Sequence, residues 1–72
     1  MKNTDYNEEL RSAAKSWKDG RVDEYVEKVA KICIENGFKP ETVNESIAFG
    51  FGCEISYSYD AKVENKIKEL KG

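Results

Sequence analysis

Histidine is absent from this 72-residue chain, which has only one proline and two cysteines. Without histidine there is no imidazole general base and no Ser-His or Cys-His nucleophile pair. Cys33 and Cys53 lack the CxxC spacing of a zinc site. The sequence that follows Gly50 and Gly52 lacks the third glycine of dinucleotide-binding loops and the lysine of phosphate-binding loops. These absences predict a protein that is not an enzyme, with no catalytic residues, no metal site and no cofactor.

Long apolar runs are also missing. The longest run has a few residues, whereas about 20 are needed to cross a bilayer, and no signal-peptide pattern follows Met1. We therefore expect a cytoplasmic protein without membrane contact, in which thiols stay reduced. A bridge between Cys33 and Cys53 is an open alternative.

The length predicts one small domain, residues 1–72. A chain this short buries only about 60% of its unfolded surface. Below roughly 70–80 residues a single core rarely supplies more than about 3–5 kcal/mol of stability. Self-association is the expected source of the missing stability, because disulfides and metals are disfavoured.

Apolar residues recur at spacings of three and four along most of the chain, which predicts amphipathic helices. Asn3 or Thr4 would cap the first helix, and Gly37 suits the left-handed position that ends the second. Pro40 suits the first turn of the third. The predicted helices cover about residues 4–18, 21–36, 40–48 and 61–70.

The region near residues 49–59 has a different pattern, since apolar and aromatic residues fall on every second position. This alternation predicts a short β-hairpin with its turn at Gly52-Cys53, or a single strand that pairs with a second molecule. The remaining interpretation is a loop followed by an early start of the last helix. The predicted fold class is therefore α+β and helix-dominated.

Either sheet interpretation leaves an open strand edge, which proteins usually close with a second copy or with another protein. Aromatic residues are enriched at interface hot spots. Residues 38–60 carry one basic and four acidic side chains, a net charge of −3. The predicted partner-binding residues combine these two features: Phe49, Phe51, Tyr57, Tyr59, Glu41 and Glu45.

Residues 29–47, VAKICIENGFKPETVNESI, have the order helix, glycine turn, helix. This segment resembles the helix-turn-helix of DNA-binding regulators, and the resemblance implies that residues 40–47 are a recognition helix in the major groove. Glu41 and Glu45 lie on that helix, and Lys39 is the one base nearby. Nucleic acid is therefore a disfavoured partner.

The function that these patterns favour is a small regulatory or inhibitory module that acts by occupying another protein's surface. The chain resembles, in style and not in motif, the small regulators carried by phages and mobile elements. It is expected to form a homodimer through residues 49–59. The alternative is a helix-turn-helix DNA-binding regulator that uses residues 29–47.

Overall fold

The computed structural model describes residues 6–72, which form four α-helices joined by short turns. No strand is present in this part of the chain, so the predicted α+β class is wrong. The capping roles predicted for Asn3 and Thr4 lie outside the described residues. The helices are α1 Tyr6–Lys18, α2 Val22–Asn36, α3 Pro40–Phe51 and α4 Ser58–Lys71.

Glycines in the left-handed region lie at the ends of the helices, among them Gly37 and Gly52. Gly37 has φ of 71° and donates its amide to the Cys33 carbonyl at 2.8 Å, which confirms the stop predicted for α2. Gly52 has φ of 69° and ends α3 in the same way. Because an αL residue with a side chain is strained, glycine is the residue that fits both positions.

The prediction of a hairpin or strand near residues 49–59 is wrong, and the reason is physical. α3 continues to Phe51, three residues beyond its predicted end, and α4 begins at Ser58, three residues before its predicted start. Val43, Ile47 and Phe51 are spaced by four, so the helical period also fits them. Val43 and Ile47 are fully buried and Phe51 packs against the core, so tertiary packing favours the helix.

The core lies around α2, which packs against each of the other three helices. Tyr25, Val29 and Ala30 of this helix are completely buried. Residues from all four helices and from the turn after α3 share one buried cluster. Its members are Leu10, Ala13, Ala14, Tyr25, Val26, Val29, Ala30, Ile32, Cys33, Val43, Ile47, Cys53 and Val63.

Three aromatic rings tie α1, α2 and α4 together. The Trp17 ring meets the Tyr25 ring edge-on at 5.1 Å between centroids, and it meets the Tyr59 ring at 4.9 Å. Such T-shaped pairs are worth about 0.5–1.5 kcal/mol beyond their area burial. The contact holds the first turn of α4 against the end of α1, and so fixes where α4 begins in space.

Both cysteines are buried free thiols, so the bridged alternative is not what the structure shows. Cys33 lies in α2, and burial raises its pKa to about 11. A thiol with so high a pKa carries almost no thiolate at neutral pH, which makes it a poor nucleophile. Cys53 anchors the turn after α3 to the core.

Candidate functional site

A groove of about 560 Å³ lies between the exposed face of α3 and the segment that leads into α4. We call it the acidic groove and define it by six residues. They are Glu41, Glu45 and Phe49 on one side and Ile55, Tyr57 and Asp60 on the other.

The α3 side of the acidic groove is a single row of side chains. Glu41, Glu45 and Phe49 are four residues apart, so they project from the same helical face at successive turns. All three are exposed, while Val43 and Ile47 occupy the opposite, buried face. With a rise of 1.5 Å per residue, the row is about 12 Å long.

The opposite side is built by the chain reversal after Gly52. The Cys53 amide donates to the Ala48 carbonyl at 3.2 Å, and the buried Cys53 side chain fixes the start of the turn. Ile55 packs against the core and supplies an apolar surface. Tyr57, next along the groove, is 92% exposed. An apolar surface and a projecting ring therefore face the row on α3.

The two glutamates of the row have no partner of their own. Within residues 6–72, neither the Glu41 nor the Glu45 carboxylate makes a hydrogen bond or an ion pair. Like charges four residues apart on a helix repel by about 0.2–0.5 kcal/mol. A cation that entered the groove would relieve this repulsion and would gain two acceptors.

A chain of hydrogen bonds connects the floor of the groove to the core. The Tyr25 hydroxyl donates to Asn44 Oδ1, and Asn44 Nδ2 donates to Asp60 Oδ1 at 2.7 Å. Burial, more than any nearby charge, raises the pKa of Tyr25 above its ordinary value, so the hydroxyl stays protonated and remains a donor. The oxygen and the nitrogen of the Asn44 side chain are thus both hydrogen-bonded. These bonds connect α2, α3 and α4 beneath the groove.

The structure brings four of the six predicted partner-binding residues together in the acidic groove. Glu41, Glu45 and Phe49 form its row, and Tyr57 faces them. Phe49 is 85% exposed, as its predicted role requires. Exposure alone does not test that role, which stays a prediction.

The other two predicted residues, Phe51 and Tyr59, lie away from the groove. Phe51 is half-buried against the core, and the Tyr59 ring packs on Trp17. Sequence reasoning missed Asp60, which lines the groove but is not among the predicted partner-binding residues. An earlier start for α4 would have been the signal, because it moves Asp60 into the first turn and beside α3.

The acidic groove offers acceptors and apolar surface to a ligand, but its carboxylates are spread out. Among residues 6–72, no three Asp, Glu, Cys or His side chains are placed to hold a metal ion. A cation that carries several donors and an apolar stem could contact separate carboxylates at once. The arrangement therefore suits a cationic side chain beside an apolar surface.

Comparisons with known proteins give no relative from which a function could be transferred. No family model matches the chain, and none of the curated proteins or solved structures matches it. Of the helices in the described residues, none is both long enough and apolar enough to cross a membrane. The groove is therefore the feature from which a function can be inferred.

Proposed function

We propose that this protein is a small binding module that acts by occupying the surface of a basic partner protein with its acidic groove. One observation carries the proposal: two almost fully exposed aromatic side chains, Phe49 and Tyr57, share a groove with two unpaired glutamates. Aromatic side chains that bury in a partner pocket are the commonest hot spots of interfaces. The groove supplies such anchors together with a charge that selects the partner.

The energetics of the two rings support binding. A phenylalanine moved from water into an interface gains about 1.5–3 kcal/mol. The carboxylates add specificity and speed of encounter more than affinity, because charged groups lose hydration when they bind. Regulation or inhibition by occlusion is the mode of action that we propose, since the groove supplies contact groups and the chain has no histidine for acid–base chemistry.

Self-association has less support than the sequence suggested. The prediction of a dimer rests on a marginal core and on an open strand edge, and residues 6–72 contain no strand that would supply the second. A two-fold dimer through the acidic groove would bring Glu41 and Glu45 of both copies into one interface, where four like charges would repel. We therefore propose a partner of different sequence, and the dimer stays a prediction that a mass measurement at micromolar concentration tests.

DNA binding is the second candidate, because α2, Gly37 and α3 do form a helix-turn-helix corner. The exposed row of α3 is acidic, which opposes approach to phosphates. Asn44, the residue best suited to read adenine, is 5% exposed and bonded within the protein. We expect no change in fluorescence polarisation of random duplex DNA with micromolar protein at low salt.

Site-specific photo-crosslinking tests the proposed function. A benzophenone side chain would replace Phe49 or Tyr57, and in the matched control it would replace the exposed Lys15 of α1, which does not line the groove. In lysate of the source organism, we expect one discrete adduct from positions 49 and 57 and none from position 15. Mass spectrometry would identify the captured protein.

The purified partner then allows a quantitative test. The double charge reversal Glu41→Lys and Glu45→Lys should weaken its binding at least tenfold, and raised salt should weaken wild-type binding, because both remove the charge attraction. Reversal of the exposed and paired Glu27 serves as control and should leave affinity within twofold. Equal labelling from all three positions, or affinity indifferent to the reversal, would contradict the proposal.

A further inference from the structure

Building on the proposed function, we propose that the side chain seated in the acidic groove is an arginine, carried by a basic segment of the partner protein. The groove presents two unpaired carboxylates and an exposed ring in one row, with a second exposed ring opposite. Arginine is the side chain whose head and stem match all of these groups.

The spacing of the carboxylates favours a forked donor. Glu41 and Glu45 are one turn apart, about 6 Å along the helix axis. The described acidic side chains form no cluster of three that could hold a metal ion, so the ligand that the groove suits is an organic cation. A guanidinium has five N–H donors in a rigid plane and can donate in several directions at once.

The aromatic rings favour arginine over lysine. Phe49 continues the row of α3 and Tyr57 stands on the opposite side, so a side chain lying along the groove passes both rings. A planar guanidinium stacks on aromatic faces, and its three-methylene stem covers apolar surface such as Ile55. The ammonium of lysine is more strongly hydrated and has no planar face to stack.

Charge complementarity also favours a peptide segment over a second copy of this chain. Residues 38–60 carry a net charge of −3. The face around the groove therefore attracts a positively charged segment and repels the same face of a second copy. The row of about 12 Å is longer than one side chain, which leaves room for the apolar neighbours of the arginine to cover Phe49.

Peptide titration followed by ¹⁵N NMR tests the arginine proposal on the intact chain. The probe is the capped peptide Ac-Ala-Leu-Arg-Leu-Ala-NH2, with matched peptides that carry lysine or the uncharged isostere citrulline in the central position. We expect amide shifts confined to residues 41–49 and 55–60. The lysine peptide should bind at least threefold more weakly than the arginine peptide, and the citrulline peptide at least tenfold more weakly.

Variants of exposed residues provide the second arm, because they leave the core untouched. Glu41→Gln with Glu45→Gln should lower affinity for the arginine peptide at least tenfold. Glu27→Gln, which removes an exposed carboxylate on α2, should change it less than twofold. Circular dichroism of each variant should match that of the wild type.

Two results would overturn the arginine proposal. One is a lysine or citrulline peptide, or the free polyamine spermidine, that shifts the same amides with an affinity equal to that of the arginine peptide. The other is an arginine peptide that shifts amides outside the groove or none at all. If the peptide fails while positions 49 and 57 still crosslink a protein, the arginine proposal falls and the binding function stands; if crosslinking fails as well, both fall.

Discussion

Acidic side chains on two faces of this molecule differ in whether they have partners within the chain. At the junction of α1 and α2, Glu24 accepts hydrogen bonds from Ser16 at 2.9 Å and pairs with Lys28 at 3.1 Å. On α3, Glu41 and Glu45 have no partner within the described residues. Both faces are solvent-accessible, so exposure does not explain the difference. Carboxylates at the helix junction have partners in their own chain, whereas those of the groove are available to another molecule.

The aromatic residues divide along the same line. Trp17 meets the rings of Tyr25 and Tyr59 edge-on, and these contacts join three helices. Phe49 and Tyr57 project from the surface with most of their area in water. A chain of 72 residues has little apolar surface to spare for its core. The two open rings are therefore the clearest sign that this face serves something other than folding.

The largest expected effect comes from Asn44→Ala, because Asn44 connects the open groove to the buried ring cluster. The substitution removes two hydrogen bonds and leaves the buried Tyr25 hydroxyl without its acceptor. We expect the free energy of unfolding to fall by about 2–4 kcal/mol, measured by urea denaturation. Because that loss is large for a chain of this size, circular dichroism should first establish that the variant still folds.

Ser46→Ala is the matched control, two residues along the same helix. The Ser46 hydroxyl donates to the Thr42 carbonyl on the exposed surface, where water replaces the bond. Its stability should stay within about 0.5 kcal/mol of the wild type. Equal stability of the Asn44 and Ser46 variants would show that the groove floor is not tied to the core as described.

Two glycines two residues apart give the next largest effect and test where α3 ends. Gly50 is helical and has open space around its missing side chain, so Gly50→Ala should stabilise the protein by about 0.5–1 kcal/mol. Gly52 also has open space but has φ of 69°, so Gly52→Ala should destabilise it by about 1–2 kcal/mol. Thermal unfolding monitored by circular dichroism measures both.

Opposite signs for the two substitutions are the result that matters. In the hairpin first predicted, Gly50 would lie in a strand, and alanine there would bring no gain in helix propensity. A loss of stability for Gly50→Ala would thus indicate that α3 ends near residue 48, as the sequence predicts. It would also separate Phe49 from the row of Glu41 and Glu45.

The smallest expected effects come from the glutamates themselves. Hydrogen bonds from Lys28 and then Ser16 hold the pKa of Glu24 below its ordinary value of 4.5. A lowered pKa in the folded state means that Glu24 stabilises the fold above about pH 4.5 and loses this contribution as the pH falls through the folded-state pKa. Glu24→Gln should therefore lower the urea midpoint at pH 7, and the difference from wild type should shrink below pH 4.

Glu45→Gln is the comparison on the other face. The substitution removes one of two like charges and breaks no contact, so stability at pH 7 should stay constant or rise by no more than about 0.5 kcal/mol. Loss of stability for Glu45→Gln as great as that for Glu24→Gln would mean that the groove acid has an internal partner after all. The contrast between the two faces would then disappear.

Helices α1 and α2 could be predicted because their apolar stripes, and the Gly37 stop of α2, are local signals. The region after Ile47 could not, since residues at alternate positions include residues spaced by four, and Phe51 fits a strand and a helix equally. Gly52 does not discriminate either, because a hairpin turn and a helix C-cap both use a glycine with positive φ. Burial of Val43 and Ile47 decided between them, and burial depends on the whole fold.

The sequence predicted which residues could contact a partner, but not how the fold places them relative to one another. Glu41, Glu45 and Phe49 form one row only because α3 continues past residue 48. Tyr57 and Tyr59 look equivalent in the sequence, but the start of α4 between them sends one ring to solvent and the other onto Trp17. Helix ends, which sequence patterns define poorly, therefore determined which aromatic residues reached the surface.

Trp17 is the only tryptophan in the chain, and its ring rests on Tyr25, whose hydroxyl begins the hydrogen-bond chain to Asp60 in the groove. Indole emission responds to the polarity and quenching groups around the ring. A ligand that displaced Asp60 would shift Asn44 and Tyr25 in turn, and the fluorescence would change without any added dye. We therefore expect Trp17 emission to report binding in the groove.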